Sequence, residues 1–510
     1  MRLSKEGLGA VVCDSRSAPS LRFSFAMASS VGLGPLPIIG PNATHLRSQS
    51  FFSHPYFSSH PADAMTLSTQ SATPLTASPN QDGPRKTLRH QIVVIGGGAA
   101  GITITAQLLD RNPGLDIAII EPSDQHHYQP GWTLVGGGVF RLEDTTRDEK
   151  AVIPKGSTWI KDAVVTLDPD HNTVLTQEGL QIQYEFLVVC PGIQIDWHKI
   201  KGLPEALGKN GVTSNYRRDL TLYTRQLIQQ DFTGGTAIFT YPNTPIKCGG
   251  APQKIMYMAD DSFKQRSGVG VHSRVMFCTA GASMFAVKAY SDSLDNVVAR
   301  RGIETRFHHN LVEIRGEAKE AVFDVTQNGE THQVVIPYDM IHVVPPMSAP
   351  DFIKNSPLAV PNNPGGWVDV NKDTLRHNRY PNVFSLGDAS SLPTSKTAAA
   401  VRGEAPTLVA NLLAALQNKA PQSTYNGYTC CPLITGYNST IMAEFDYNNR
   451  PMSSFLIDPT KERWSMWLVK KYMLPRLYWE RMLKGKPFEG ELLKPLQGVV
   501  GYRPKSGPSK

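Results

Sequence analysis

Ile92-Val93-Val94-Ile95-Gly96-Gly97-Gly98-Ala99-Ala100-Gly101 decides how this chain folds. The β-branched run at 92–95 suits a strand buried on both faces of a parallel sheet. The glycines after it spell G-x-G-x-x-G at Gly96, Gly98 and Gly101. Gly96 allows the tight turn, Gly98 lets backbone approach a pyrophosphate, and Gly101 lets helix pack on strand. The pyrophosphate would then sit on the N-terminus of the helix that follows, whose free N–H groups and dipole favour the anion. A helical pattern follows over 102–111, then a turn at Asn112-Pro113-Gly114 and a second strand, 116–120, ending in Glu121. This carboxylate stands twenty residues beyond Gly101, placed to accept hydrogen bonds from ribose hydroxyls. Together these features predict an α/β protein with a Rossmann-like dinucleotide-binding domain.

Farther along, Tyr380-Pro-Asn-Val-Phe-Ser-Leu-Gly387-Asp388 reads as a short strand ending in Gly-Asp. In flavoproteins with two dinucleotide folds, such a late Gly-Asp brings the chain back to the first fold, and its carboxylate holds the ribityl chain. Paired with the N-terminal fingerprint, it selects FAD as the cofactor. An Ala/Leu-rich helical pattern covers 397–416, preceded by Lys396. A helix N-terminus and a lysine beside the isoalloxazine would favour negative charge on the reduced ring. The alternative for Lys396 is a solvated surface lysine.

A second nucleotide fold is expected without its fingerprint. Residues 236–241 and 274–278 read as strands, 253–266 and 285–301 as helices. Short strands near 311–314, 321–325 and 334–336 read as a meander before a further strand at 340–344. Where the glycine loop belongs, the chain has Tyr241-Pro-Asn-Thr-Pro-Ile-Lys-Cys248-Gly-Gly-Ala-Pro252. The next strand ends in Phe277-Cys278-Thr279, with no acid for a ribose hydroxyl. This domain is therefore not expected to bind NAD(P)H, and a flavin must draw its electrons from another source.

Cysteine is the replacement on offer. Cys248 occupies a strand-to-helix turn, where the helix dipole and Lys247 would hold it as thiolate. Cys430-Cys431-Pro432 supplies a second candidate, and together they suggest a redox-active thiol pair working on the flavin. Cys190 and Cys278, each ending an apolar strand, read as small packing residues. His126-His127 and His308-His309 read as surface or packing residues.

Between Lys461 and Lys484 stand Trp464, Trp467 and Trp479 with seven basic residues and two acids. Pro475 is expected to split this segment into two short helices. An apolar-aromatic face with a basic rim is the pattern of helices lying in the headgroup plane; docking on the protein's own core is the alternative. No apolar run reaches the roughly 18 residues of a transmembrane helix, so attachment would be monotopic. The 510 residues are 40% hydrophobic and 19% charged, a globular composition. A net charge of +7 is too weak and dispersed to argue for nucleic acid. Six cysteines do not make a disulfide scaffold, and without CxxC or HExxH no metal site is expected. Residues 1–80 carry fifteen Ser, three acids and five basic residues, the composition of an organelle presequence.

From about residue 91 to 483 the chain resembles the eukaryotic mitochondrial sulfide:quinone oxidoreductases. The segments that carry the likeness are Pro242–Tyr257 around Cys248 and Tyr425–Tyr447 around Cys431, with Leu392–Ala400 and Glu121–Pro130. The resemblance implies that Cys248 and Cys431 are catalytic, and that Gln129 and Val164 join Gly96, Gly98, Ala99, Ala100, Gly101, Glu121, Gly387, Asp388 and Lys396 at the cofactor. It departs from the pattern in having two cysteines before Pro432; the match selects Cys431 and leaves Cys430 as an extra thiol. It implies attack of hydrogen sulfide on a Cys248–Cys431 bridge, leaving a persulfide. Two electrons then pass through FAD to ubiquinone, and the sulfane sulfur goes to a small acceptor such as glutathione or sulfite. The expected location is the mitochondrial inner membrane, on its surface. The implied organisation is a leader to 88, an FAD domain over 89–205 and 346–425, a second Rossmann-like domain over 206–345, and a cysteine and membrane region over 426–510. Other readings are a type II NADH:quinone oxidoreductase, which needs the missing nicotinamide fingerprint, and a redox-sensing flavoprotein without turnover.

Overall fold

A computed structural model describes residues 86–455 and 457–487. The leader read from composition lies outside them. Two sheets organise the chain, the first mixed and the second parallel. The first has the order Thr158–Ile160, Ile117–Ile120, Thr87–Ile95, Gln181–Val189, Thr173–Thr176, Val164–Asp168. Strand Gln181–Val189 branches: its first half pairs antiparallel with Thr173–Thr176, its second half parallel with Val383–Ser385. Ile92, Val93 and Val94 are fully buried at its centre, as a strand covered on both faces requires. The strand begins at Thr87, because pairing with the neighbouring strand starts there, opposite Gln181. Its first two residues thus fall within the span to 88 that the implied organisation gave to the leader.

The second sheet is wholly parallel, in the order Val212–Thr213, Met340–His342, Gly235–Tyr241, Ser273–Thr279, Glu304–Arg306. The expected meander forms a separate antiparallel sheet of His309–Arg315, Glu320–Gln327 and Glu330–Pro337. Helix Ala251–Gln265 follows the second sheet's central strand, as helix Ala99–Arg111 follows the first's. A hairpin, Thr429–Gly436 with Ser439–Phe445, packs Cys431, Leu433, Ile441 and Ala443 into the second sheet's core.

The C-terminal segment departs from expectation. Pro475 does not split it: Trp464–Leu468, a wider π-type turn Val469–Met473 and Leu474–Glu480 run on as helix. Proline sits in the first turn after the wide one, where a missing N–H costs least. Nor do the tryptophans share one outward face. Trp467 is buried against Leu134, Met258 and Ile434, and Tyr478, Met482 and Leu483 join the first sheet's core. Trp464 and Tyr472, each 61% exposed, remain outside. Among the described residues no helix is long and apolar enough to cross a membrane.

Candidate active site

One cavity of about 540 Å³ runs from the glycine turn to the thiol pair and on beneath the C-terminal helices. At its first end the sequence pattern works as geometry. Gly96 has φ +103°, and a Cβ on Gly101 would lie 1.9 Å from the Gly96 carbonyl, so helix and turn meet only through glycine. A Cβ on Gly98 would meet nothing within 4 Å; its outer side faces open space. No side chain caps helix Ala99–Arg111, whose first residues line the cavity. The Glu121 carboxylate accepts from the Gly97 and Ser123 N–H groups, both at 2.8 Å, and shapes the loop while bordering the cavity.

The walls also hold unspent polar capacity. Trp132 Nε1, the Asn215 amide, His342 Nδ1 and Glu149 Oε1 are buried without a hydrogen-bond partner among the described residues, and all four side chains line the cavity. Buried polar groups are rarely left so. Together with the open glycine turn, they fit a long, polar, anionic ligand of the dinucleotide class.

Gly387, with φ +70°, and Asp388 form a short turn at the cavity's edge. The Gly387 N–H donates to Glu404 at 2.8 Å, a buried carboxyl that burial pushes up to about 7. Lys396 is buried, which excludes the solvated alternative. Its ammonium donates to the carbonyls of Asp388 and Ser390 at 2.7 and 2.9 Å and lies 4.0 Å over the Trp367 ring. Burial lowers it to about 8. Gln129 borders the cavity and accepts from Lys247 Nζ at 2.5 Å. Val164 sits apart, packed in the first sheet's core rather than in the cavity wall.

The two cysteines meet. Cys248 Sγ and Cys431 Sγ, both thiols here, stand 3.4 Å apart. Cys248 has the left-handed φ of 57°, held by its N–H donating to the Lys396 carbonyl at 2.8 Å. A Cβ on Gly250 would come within 2.6 Å of Cys431 Sγ, so glycine there keeps the approach open. The Cys431 thiol donating to Cys248 holds the latter well below the ordinary thiol range, and a nearby lysine adds to this. Cys431 is pushed up by the same hydrogen bond and by burial.

That lysine is Lys254, not Lys247. Its Nζ lies 3.1 Å from Cys248 Sγ, whereas Lys247 points to Gln129. Despite burial, the two cysteines keep Lys254 protonated. Six residues past Cys248, it comes back to the sulfur from the first turn of helix Ala251–Gln265, a placement that spacing from an irregular turn does not reveal. Lys470, from the C-terminal segment, is buried nearby, donates to the Pro130 carbonyl at 3.0 Å and is lowered to about 8 by burial.

Cys430 faces the opposite way, its sulfur 3.5 Å from Met442 Sδ and packed with Met466. Cys190 and Cys278 are buried thiols that burial pushes up, Cys278 to about 12. His126 is more than packing. It lines the cavity, its Nδ1 lies 3.1 Å from the Gly97 carbonyl, and its Nε2 lies 2.6 Å from the Tyr478 hydroxyl. The glycine turn is thereby tied to the C-terminal helix, a link of 352 residues that no local pattern signals.

Residues 90–230 match the family model described as pyridine nucleotide-disulphide oxidoreductase. The chain is 48% identical over 444 residues to the mitochondrial sulfide:quinone oxidoreductase of Dictyostelium discoideum, covering 86% of this chain and 96% of the relative. It is 45% identical to the Mus musculus protein of the same name, covering 82% and 92%. The solved sulfide:quinone oxidoreductase of Aquifex aeolicus shares the fold at 20% identity, with a TM-score of 0.66, covering 82% of this chain and 96% of that one. With sulfurs in contact beside a dinucleotide cradle, and with relatives this similar over nearly their full length, the chain belongs to the mitochondrial sulfide:quinone oxidoreductase family.

Proposed function

We infer that this chain oxidises sulfide, holds FAD in the cavity and delivers the electron pair to a quinone. The observation that carries this is the Cys248–Cys431 pair, sulfurs 3.4 Å apart, with Cys248 in the wall of the cavity that the glycine turn opens. Gly97, Gly98, Ala99 and Ala100 would hold the pyrophosphate, Glu121 a ribose, and Asp388 the ribityl chain. FAD bound there supplies a two-electron acceptor that passes the pair on to the quinone.

The residues set the direction of sulfur chemistry. In the oxidised protein Cys248 and Cys431 are bridged, and hydrosulfide breaks the S–S bond by attacking one sulfur. The lower-pKa thiolate leaves faster. The Lys254 ammonium, 3.1 Å from Cys248 Sγ, steadies Cys248 as the departing thiolate, so attack falls on Cys431. The products are a Cys431 persulfide and a Cys248 thiolate. A nucleophilic acceptor, either sulfite or a thiolate such as that of glutathione, takes the outer sulfur and leaves the Cys431 thiol. Closing the bridge again releases two electrons and one proton.

The apolar arm under the C-terminal helices, lined by Met442, Phe455, Val469, Met473, Leu474 and Leu477, suits ubiquinone. Trp464 and Tyr472, exposed among basic side chains, would rest in the headgroups of the mitochondrial inner membrane. An NADH-oxidising reading meets Cys248 at the turn where a nicotinamide dinucleotide needs bare backbone. An anaerobic titration tests the inference: sulfide bleaches the bound flavin and NADH does not. Bleaching by NADH with indifference to sulfide overturns it.

A further inference from the structure

The apolar arm has one polar wall. Tyr428, just before the hairpin strand, and Cys430 and Pro432 within it border the arm, while Cys431 and Leu433 pack into the second sheet's core. The Tyr428 hydroxyl accepts from Arg402 Nη2 at 2.7 Å and donates to Glu444 Oε1 at 2.6 Å. Glu444, only 2% exposed, accepts further from the Ser454 hydroxyl at 2.6 Å and the Ser454 N–H at 2.8 Å. Tyr428, Glu444 and Ser454 all border the cavity, and Ser454 is exposed. An unbroken file of exchangeable protons thus leads from solvent to the arm.

A carboxylate beside so apolar a space is costly to bury, and hairpin pairing does not require its side chain. Tyr290 already serves the Glu444 main chain, accepting from its N–H and donating to its carbonyl, at 3.2 and 2.8 Å. The file also ends on a group of suitable chemistry. A phenol presents its proton to a ligand oxygen, and the Arg402 guanidinium beside it would steady the phenolate left behind.

We propose that Tyr428 is the proton donor to the quinone, resupplied by Glu444 and, past Ser454, by solvent. This rests on the assignment of the apolar arm to the quinone. The overall change is quinone plus two electrons plus two protons to quinol. The electrons come from sulfide through the bound cofactor. At the proton steps only O–H bonds change: the phenolic O–H, turned from Glu444 to the ligand, breaks as the quinol O–H forms, and a solvent proton, taken up past the Ser454 hydroxyl by the Glu444 carboxylate, then passes to the phenolate. The route serves twice per turnover.

Tyr428→Phe keeps the ring and Glu444→Gln keeps the shape, so both can be compared at matched FAD content. Three rates are measured: anaerobic bleaching of the flavin by sulfide, turnover with a short-tailed water-soluble ubiquinone, and turnover with ferricenium, which takes electrons without protons. Positioned proton transfer contributes roughly 100-fold or more, so quinone turnover should fall by about that factor in each variant. Bleaching and ferricenium turnover should hold. Unchanged quinone turnover in either variant overturns the relay, as does an equal fall in all three rates. Failure of sulfide to bleach the wild-type protein would instead overturn the functional reading beneath it.

Discussion

Cys248 and Cys431 bring their sulfurs to 3.4 Å although 183 residues separate them in the chain. Residues 395–397 are the strap that makes this possible. The Lys396 carbonyl accepts the Cys248 N–H at 2.8 Å, and Thr429, two residues before Cys431, bonds the Ser395 carbonyl at 3.2 Å and the Thr397 hydroxyl at 2.9 Å. The loop over 395–397, the thiol turn and the hairpin are therefore one unit.

Cys248→Ser and Cys431→Ser should each abolish sulfide-dependent quinone reduction, since either removes half of the pair. Cys430→Ser should keep most of it. Its hydroxyl would sit among the thioethers of Met442 and Met466, so stability should drop by roughly 1–3 kcal/mol. Turnover at matched flavin content, with denaturant unfolding, checks both. An inactive Cys430 variant beside an active Cys431 variant would exchange their roles.

Lys254→Met should raise the pH at which the reduced Cys248 becomes thiolate. The ammonium 3.1 Å away favours the charged form, so its loss moves the titration upward. The pH profile of alkylation of the reduced protein reads this directly. Lys247→Met should leave the midpoint in place, because Lys247 bonds Gln129. A midpoint that moves for Lys247 alone would refute the assignment.

Glu121→Ala should weaken FAD binding. It removes the acceptor of the Gly97 and Ser123 N–H groups as well as the ribose contact. Charge-assisted hydrogen bonds are worth about 1.5–3 kcal/mol, which corresponds to roughly a ten- to hundredfold rise in Kd. Flavin retention on dilution and dialysis measures it, and full retention would reduce Glu121 to a loop residue.

Trp464→Ser with Tyr472→Ser should release the protein from vesicles of inner-membrane composition while leaving its thermal midpoint intact. Removing everything after residue 455 should instead destabilise the fold, because Trp467, Tyr478, Met482 and Leu483 belong to its cores. Co-sedimentation and a melting curve separate these outcomes; undiminished vesicle binding of the double variant would place the membrane face elsewhere.

What the sequence determined by itself was local. The strand, glycine turn, helix and Glu121 fit within about thirty residues, and each is forced by sterics or by the period of the backbone. Strand alternation likewise separates Cys430 from Cys431 without any knowledge of the partner. The broken second fingerprint was as legible, because prolines and a cysteine stand where bare backbone is needed. Tertiary structure decided what depends on contacts between distant segments. Lys254 rather than Lys247 faces the thiolate because the turn before helix Ala251–Gln265 is irregular and rotates the two lysines apart. Trp467 is buried and Trp464 is not, since an amphipathic pattern marks an apolar face without naming what covers it. Pro475 continues a helix because a wide turn precedes it. The tie from His126 to Tyr478 and the file from Ser454 to Tyr428 became visible only in the folded structure, since a side chain's partners are set by packing and not by its neighbours in sequence.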